Sequence, residues 1–556
     1  MQIKQTVNNM RYPVLLAVIV NIMLFALFYL FATPLLNSGD DAYFMYTLSG
    51  GYGEAPTSLL HYDYGWHYWL GSVVKQCFIL EPGFNWYSFI LNLFHFSGCA
   101  SILFVLRRRM PLFKALLFFV IFFLLIETRM LLSLSYTGAA WVMGAGGALL
   151  MIEGFRGSTV QGSMVKWLLG PGGFLMKGMI LIILAGMLRY QMMEMVILLS
   201  LPLGYMLLSR KAFFKLAALM LVAVVVVVGL FKIHEAHYRK HIAGWDQQEK
   251  FRQALFIAYN KSIKPAKQQT VFYDSLERNL FNAGFLYDST RFTPERVATI
   301  TKQITRNRYF DLKEDRIKLY WVLRSFEFYF LLIVMVLALW IWQGYKTQAK
   351  RWLYYFLFVL AVYLLLYVFL KITHPVYMGL MMMLWLQLAL QSPEEEQTIK
   401  YKRLPLIYLP IMIVALFGAK AAWQENSNNI IRKKYFYCAM ENLNRYPDRL
   451  YVATDDNFPL GWIGLWDDPK EYPVYNLIYK DRLITHTYLT TIQRFGIRDF
   501  QQALLHDKRI YLLGDTIPGS DKIFPGTILS GPIKEMVCLL ARQLKQQDTV
   551  TVSSTH

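Results

Sequence analysis

The fold turns on the stretch "PVLLAVIVNIMLFALFYLFATPLLNSGDDAYFMYTLSGG", Pro13 to Gly51. Its first two dozen residues carry no charge and, as a helix rising 1.5 Å per residue, reach across about 30 Å of hydrocarbon. They are too many for a signal-peptide core, and no small-residue cleavage site follows, so they read as an uncleaved first span. Two adjacent acids, Asp40 and Asp41, stand at the mouth of that span.

Further apolar runs of the same kind recur, for example "AFFKLAALMLVAVVVVVGLF" (Ala212 to Phe231). With 56% hydrophobic and 17% charged residues in 556, the chain reads as a polytopic α-helical membrane protein. Eleven spans are expected, near residues 13–35, 86–106, 111–127, 130–152, 169–187, 194–209, 212–232, 325–343, 352–370, 376–391 and 405–421. The connectors alternate in charge. One set holds Arg107, Arg108, Arg109, Arg156, Arg210 and Lys211; the other holds little beyond Lys75, Arg129, Arg189 and Lys371. The positive-inside rule then puts the N-terminus in the cytoplasm and, for an odd number of spans, the C-terminus outside. The net charge of +20 is therefore a topology signal rather than a nucleic-acid footprint.

This division gives a transmembrane domain, residues 1–422, and a C-terminal region, residues 423–556, expected to be a small extracytoplasmic α/β domain. The first outer loop covers 37–85 and a large outer loop covers 234–324, a length that points to a functional insertion. "RLYVATDD" (Arg449 to Asp456) and "RIYLLGD" (Arg509 to Asp515) read as buried strands, and "TPERVATITKQI" as a helix with Pro294 near its start. "IKEMVCLLARQLKQQ" reads as an amphipathic helix. Cys438 and Cys538 could pair if their region is extracytoplasmic. Gly144, Gly146 and Gly147 lie inside a span, where small residues signal close helix packing. No His/Cys cluster has zinc spacing, and no nucleotide-binding glycine loop stands in a suitable context.

Ionisable groups near membrane depth are expensive and point to function. Here they gather on the outer face: Asp40, Asp41, His61, Asp63 and His67 in the first loop, Glu127 and Arg129 in the second connector, Arg189 and Tyr190 in the third, Lys371 and His374 in the fifth. A carboxylate there can take the proton of an attacking hydroxyl or bind a divalent cation such as Mg or Mn. Separated basic groups can hold a departing phosphate. The chemistry this suits is transfer from a phosphorylated lipid, with the aromatic segment "YDYGWHYWLGSVVKQCFIL" lying along the interface. The plainer readings are a capped interfacial helix for Asp40 and Asp41, snorkelling for Arg189 and Lys371, a local ion pair for Glu127 and Arg129, and an interfacial role for His67.

"SGDDAYFMYTLSGG" followed by "YDYGWHYWLG" resembles the first-loop pattern of bacterial members of the GT-C superfamily of membrane glycosyltransferases. The resemblance covers about the first two hundred residues. It implies a sugar transferase of the cytoplasmic membrane that uses a polyprenyl-phosphate sugar donor and a glycan, lipid or protein acceptor at the outer face. It implies that Asp41 or Asp40 serves as base or metal ligand, with Asp41 the narrow preference. Arg189, Tyr190, Lys371 and His374 would hold the donor phosphate, and Asp63, His61, His67, Glu127 and Arg129 would support the acceptor or the first loop. The alternatives are a polysaccharide polymerase or ligase acting on lipid-linked glycans, and, in another class, a lipid or glycan transporter.

Overall fold

The computed structural model describes residues 2–60, 66–156, 171–260, most of 271–306, 334, 346–369, 372–390, 404–453, 458, 460–479 and most of 486–512. The expected span at 325–343, His61, Asp63, Lys371, Cys538 and the helix at 533–547 lie outside the described residues.

Helices dominate. α1 (Gln2–Phe31) leads into a two-residue strand, β1 (Leu35–Leu36), and the short α2 (Gly39–Ser49). α3 (Tyr68–Leu80) follows as a helix of 13 residues, too short to cross a bilayer. α4 (Trp86–Arg109) ends on three arginines, where cations meet the negative end of the helix dipole. α5 (Leu112–Phe122) continues through a π turn, Phe123–Glu127, into α6 (Thr128–Leu132). These three make one apolar run, Leu112–Leu132. The tight turn expected around Glu127–Arg129 therefore falls later, at β2 (Ser133–Leu134), before α7 (Tyr136–Arg156).

α8 (Pro171–Leu188), α9 (Tyr190–Leu207) and α10 (Arg210–His241) come next, then α11 (Trp245–Asn260) and α12 (Pro294–Arg306), which starts on the expected Pro294. α13 (Lys346–Phe369) and α14 (His374–Leu390) precede α15 (Leu404–Arg445). α15 has 42 residues and runs unbroken through position 423, so the boundary expected there lies inside a helix. Among the described residues six helices are long and apolar enough to cross a membrane: Tyr12–Phe31, Trp86–Arg109, Leu112–Leu132, Tyr136–Arg156, Tyr190–Leu207 and Arg210–His241. Gly173–Leu188 and His374–Leu390 are apolar but shorter.

α7 is the central post. Every residue from Tyr136 to Gly154 is buried, and its small residues set how close its neighbours come. A Cβ added at Gly146 would stand 2.7 Å from the Gly98 carbonyl oxygen, and one at Gly147 would stand 2.8 Å from that of Gly178. Gly144 meets Ala185 and Val196. The three glycines thus seat α4, α8 and α9 against α7, which is the small-residue packing that apolar surroundings reward. On α14, Gly379 lies under the Trp141 ring of α7 in the same manner.

After α15 the chain builds a parallel three-stranded sheet from β3 (Leu450–Ala453), β4 (Leu477–Tyr479) and β5 (Ile510–Leu512), in the order β4-β3-β5. α16 (His486–Arg494) follows β4. β3 and β5 sit at the two expected segments; β4 is additional. This region grips the first loop. Gly464 bridges to Leu35, the Asn85 amide donates to the Asp467 carbonyl, and Arg494 donates to the Tyr52 and Gly53 carbonyls.

Candidate functional site

The site is assembled by β1 and β2, which pair in parallel with Leu35 opposite Ser133 and Leu36 opposite Leu134. That register lays the start of α2 beside the start of α7, although 95 residues separate Asp41 from Tyr136. Ser38 is the N-cap of α2. Its Oγ accepts from the Asp41 N–H and donates to Asp41 Oδ2 at 2.8 Å, so the cap and the third helical residue hold each other through that hydroxyl. Ser135 caps α7 in turn, accepting from the Gly138 N–H at 3.0 Å.

Asp41 is fully buried and serves both helix starts. Its Oδ1 accepts from the Tyr136 N–H at 3.0 Å and from Tyr87 Oη at 2.8 Å. Burial pushes its carboxyl from the ordinary 3.8 up to about 6, against the lowering pull of the Tyr136 N–H, Ser38 and Tyr87, and the Asp40 charge adds to the rise. Asp40, one residue earlier on the same first turn, is half-buried. Of the two acids, Asp41 is the one locked into the protein and Asp40 the one with surface to offer.

Tyr136 joins the acid to a base. Arg189, the N-cap residue of α9, donates from one Nη to Tyr136 Oη at 3.1 Å and to Thr137 Oγ1 at 2.6 Å, and its guanidinium lies 5.2 Å from the Tyr136 ring centre. Arg189 sits in the break between α8 and α9, where the chain is extended and not helical. Tyr190, next to it, packs edge-on against Phe231.

The first loop returns to this break. The Trp66 and His67 N–H groups donate to the Leu188 and Met187 carbonyls, each at 2.7 Å. Trp66 is fully buried with a φ of +61°, a left-handed conformation that costs a bulky residue roughly 1–2 kcal/mol. It is held by stacking on Tyr87, the ring that donates to Asp41, with ring centres 4.9 Å apart. His67 is a structural clamp. Nδ1 accepts from the Trp69 N–H as the cap of α3, and Nε2 meets the Leu230 carbonyl at 2.9 Å. Burial holds its imidazole below the ordinary range.

Glu127 belongs to a different place. It is fully buried in the π turn and meets His95 Nδ1 of α4 at 2.7 Å, so its partner is on another helix. Arg129 is half-buried in α6, inside the span rather than in a connector. His374 opens α14. The contact between Gly379 and Trp141 lies five residues beyond His374 on one helix and five beyond Tyr136 on the other. Six residues further along α14, Trp385 donates to the Phe118 carbonyl, in the first half of the Leu112–Leu132 run and away from Ser133. α14 therefore runs in the same sense as α7, and His374 stands at the Tyr136 end of the bundle.

Sequence reading brought Asp40, Asp41, Arg189 and His374 to one end; it missed Tyr87, Tyr136, Thr137 and Trp66. A tyrosine at a helix start in a membrane protein ordinarily signals an interfacial anchor, which masked these roles. Among the described residues no group of three or more His, Cys, Asp or Glu side chains gathers as a metal site. The Asp41 oxygens are taken up by protein donors, leaving the described donor set short of the oxygens that a divalent cation needs. The chain matches no family model, no curated protein and no solved structure.

Proposed function

We propose that the chain is a membrane glycosyltransferase of GT-C type. It would move a sugar from a polyprenyl-phosphate donor to a glycan, lipid or protein acceptor at the outer face of the bacterial cytoplasmic membrane. The observation that carries this reading is the convergence of Asp41 and Arg189 on Tyr136 at one end of the helix bundle, with Asp40 beside Asp41 on the same first turn. The first loop and the C-terminal region touch through Leu35 and Gly464, so they share a face. A shared face requires an odd number of spans between the N-terminus and that region, which accords with eleven.

In the proposed reaction the acceptor hydroxyl oxygen attacks the anomeric carbon, and the bond from that carbon to the phosphate oxygen breaks. The bonding pair leaves with the polyprenyl phosphate, and the hydroxyl proton passes to Asp40, with inversion. Asp41 holds the first turn of α2, and thus Asp40, against α4 and α7. Arg189, fixed by Tyr136 and Thr137, offsets charge on the leaving phosphate, with His374 at the same end of the bundle.

The test is transfer by membranes carrying Asp40→Asn, Asp41→Asn or both, assayed with a radiolabelled polyprenyl-phosphate sugar and cell-envelope acceptor. Loss of transfer in Asp40→Asn with unchanged expression supports the reading. Full transfer in the double variant sinks it.

A further inference from the structure

At the other end of α4 lies an open surface cavity of about 540 Å³ lined by Arg107, Arg108, Arg109, Arg156 and Glu153, among others. We propose that it is a binding site for the phosphate of a lipid headgroup, on the membrane face opposite Asp41. Its lining carries four guanidiniums and one carboxylate.

The cavity is built rather than incidental. Glu153 of α7 is almost wholly buried and clamps two of the arginines, with Arg109 Nε at 3.1 Å and Arg108 Nε at 3.3 Å. The Arg108 guanidinium is set over the Phe174 ring, 5.0 Å from its centre, and near Phe104 at 5.9 Å. Arg107 donates from one Nη to the Met110 carbonyl at 3.3 Å, while its Nε is buried with no protein partner. A spare N–H on an oriented guanidinium suits an anionic oxygen, and phosphate, like carboxylate, matches the forked donor geometry of arginine. Topology alone would place basic residues at this end, but it requires neither a cavity nor a buried acid holding two of them in position.

Depth identifies the source of the phosphate. Tyr87, which touches Asp41, and Arg107 stand twenty residues apart on α4, about 30 Å along the axis. That is the thickness of the hydrocarbon core, so the cavity lies at headgroup level in the leaflet away from Asp41. Phe113, just beyond the arginines, is 72% exposed, giving acyl chains an apolar flank beside the cavity.

The full-length protein, exchanged into nanodiscs of phosphatidylcholine with graded phosphatidylglycerol, is delipidated stepwise and read by native mass spectrometry. The native chain retains anionic phospholipid. Arg107→Gln with Arg156→Gln weakens retention about thirtyfold at unchanged melting temperature, and Arg107→Lys with Arg156→Lys restores part of it. If the double variant does not fold, Arg156→Gln alone, an exposed position on the last turn of α7, should weaken retention about fivefold. Equal retention by native and variant proteins overturns the proposal. So does displacement of the lipid by millimolar inorganic phosphate, which would make this a site for a soluble anion.

Discussion

Asp41 is where stability and pH meet most directly. Replacing it with alanine strands two buried donors, the Tyr136 N–H and Tyr87 Oη, and frees Ser38. At roughly 1–3 kcal/mol for each orphaned buried group, Asp41→Ala should cost about 2–6 kcal/mol. Asparagine keeps an oxygen for both buried donors and sheds the charge. The pH dependence separates the two effects. A carboxyl held at about 6 in the fold, against the ordinary 3.8, keeps its proton where the unfolded chain has lost it. Stability from this group is thus fully present below about pH 4, declines as pH rises to about 6 and is flat above, a loss of about 3 kcal/mol. The native chain should therefore lose stability relative to Asp41→Asn across that window, read as the difference in their thermal unfolding in detergent at a series of pH values. A constant difference from pH 4 to 8, or an Asp41→Asn variant as damaged as Asp41→Ala, would refute the reasoning.

Other expectations can be checked with the same protein. Gly98→Ala places a Cβ 2.4 Å from the Val142 carbonyl oxygen, so α4 must move off α7; a loss of about 1–3 kcal/mol should appear in thermal unfolding. Glu127→Ala leaves the buried His95 Nδ1 without its hydrogen-bond partner and should cost about 1–3 kcal/mol, while Glu127→Gln, which keeps an oxygen for His95, should cost less in the same assay. Arg189→Lys replaces the planar guanidinium set over the Tyr136 ring with a shorter point charge and should lower kcat/KM for sugar transfer at least tenfold without a comparable change in melting temperature.

Six of the expected spans appear among the described residues, and they were legible because hydropathy is a local property: Pro13 to Leu36 announces itself without any partner. The packing role of Gly144, Gly146 and Gly147 was legible for the same reason, since small residues inside a span have few other uses. A capped helix at Asp40 and Asp41 was readable, but the cap is Ser38 and the acids stand in the first turn. Tyr87, Tyr136 and Thr137 were not legible. Their roles depend on β1 meeting β2, a two-residue pairing between segments nearly a hundred positions apart. Glu127 misled because the π turn inserts an extra residue and carries the span five residues past it. Trp66 carries no local sign of a left-handed backbone; its hydrogen bond to Leu188, its stack on Tyr87 and its packing on Phe44 hold it there.

The distance in sequence between β1 and β2 also has a consequence for biogenesis. The first loop leaves the insertion machinery one helix behind α1, while the residue that completes its hydrogen bonding, Tyr136, arrives only after α4 and the Leu112–Leu132 helix have entered the bilayer. Until then Asp41 has only Ser38 beside it in the chain already delivered, apart from Tyr87 on α4. The newborn loop must stay at the wet surface, its carboxylate served by water, and it can sink into the protein only when α7 docks. Insertion of α7 is thus the committing event for the site as well as for the bundle. A chain stalled before Ser133 would carry a complete first loop and no site.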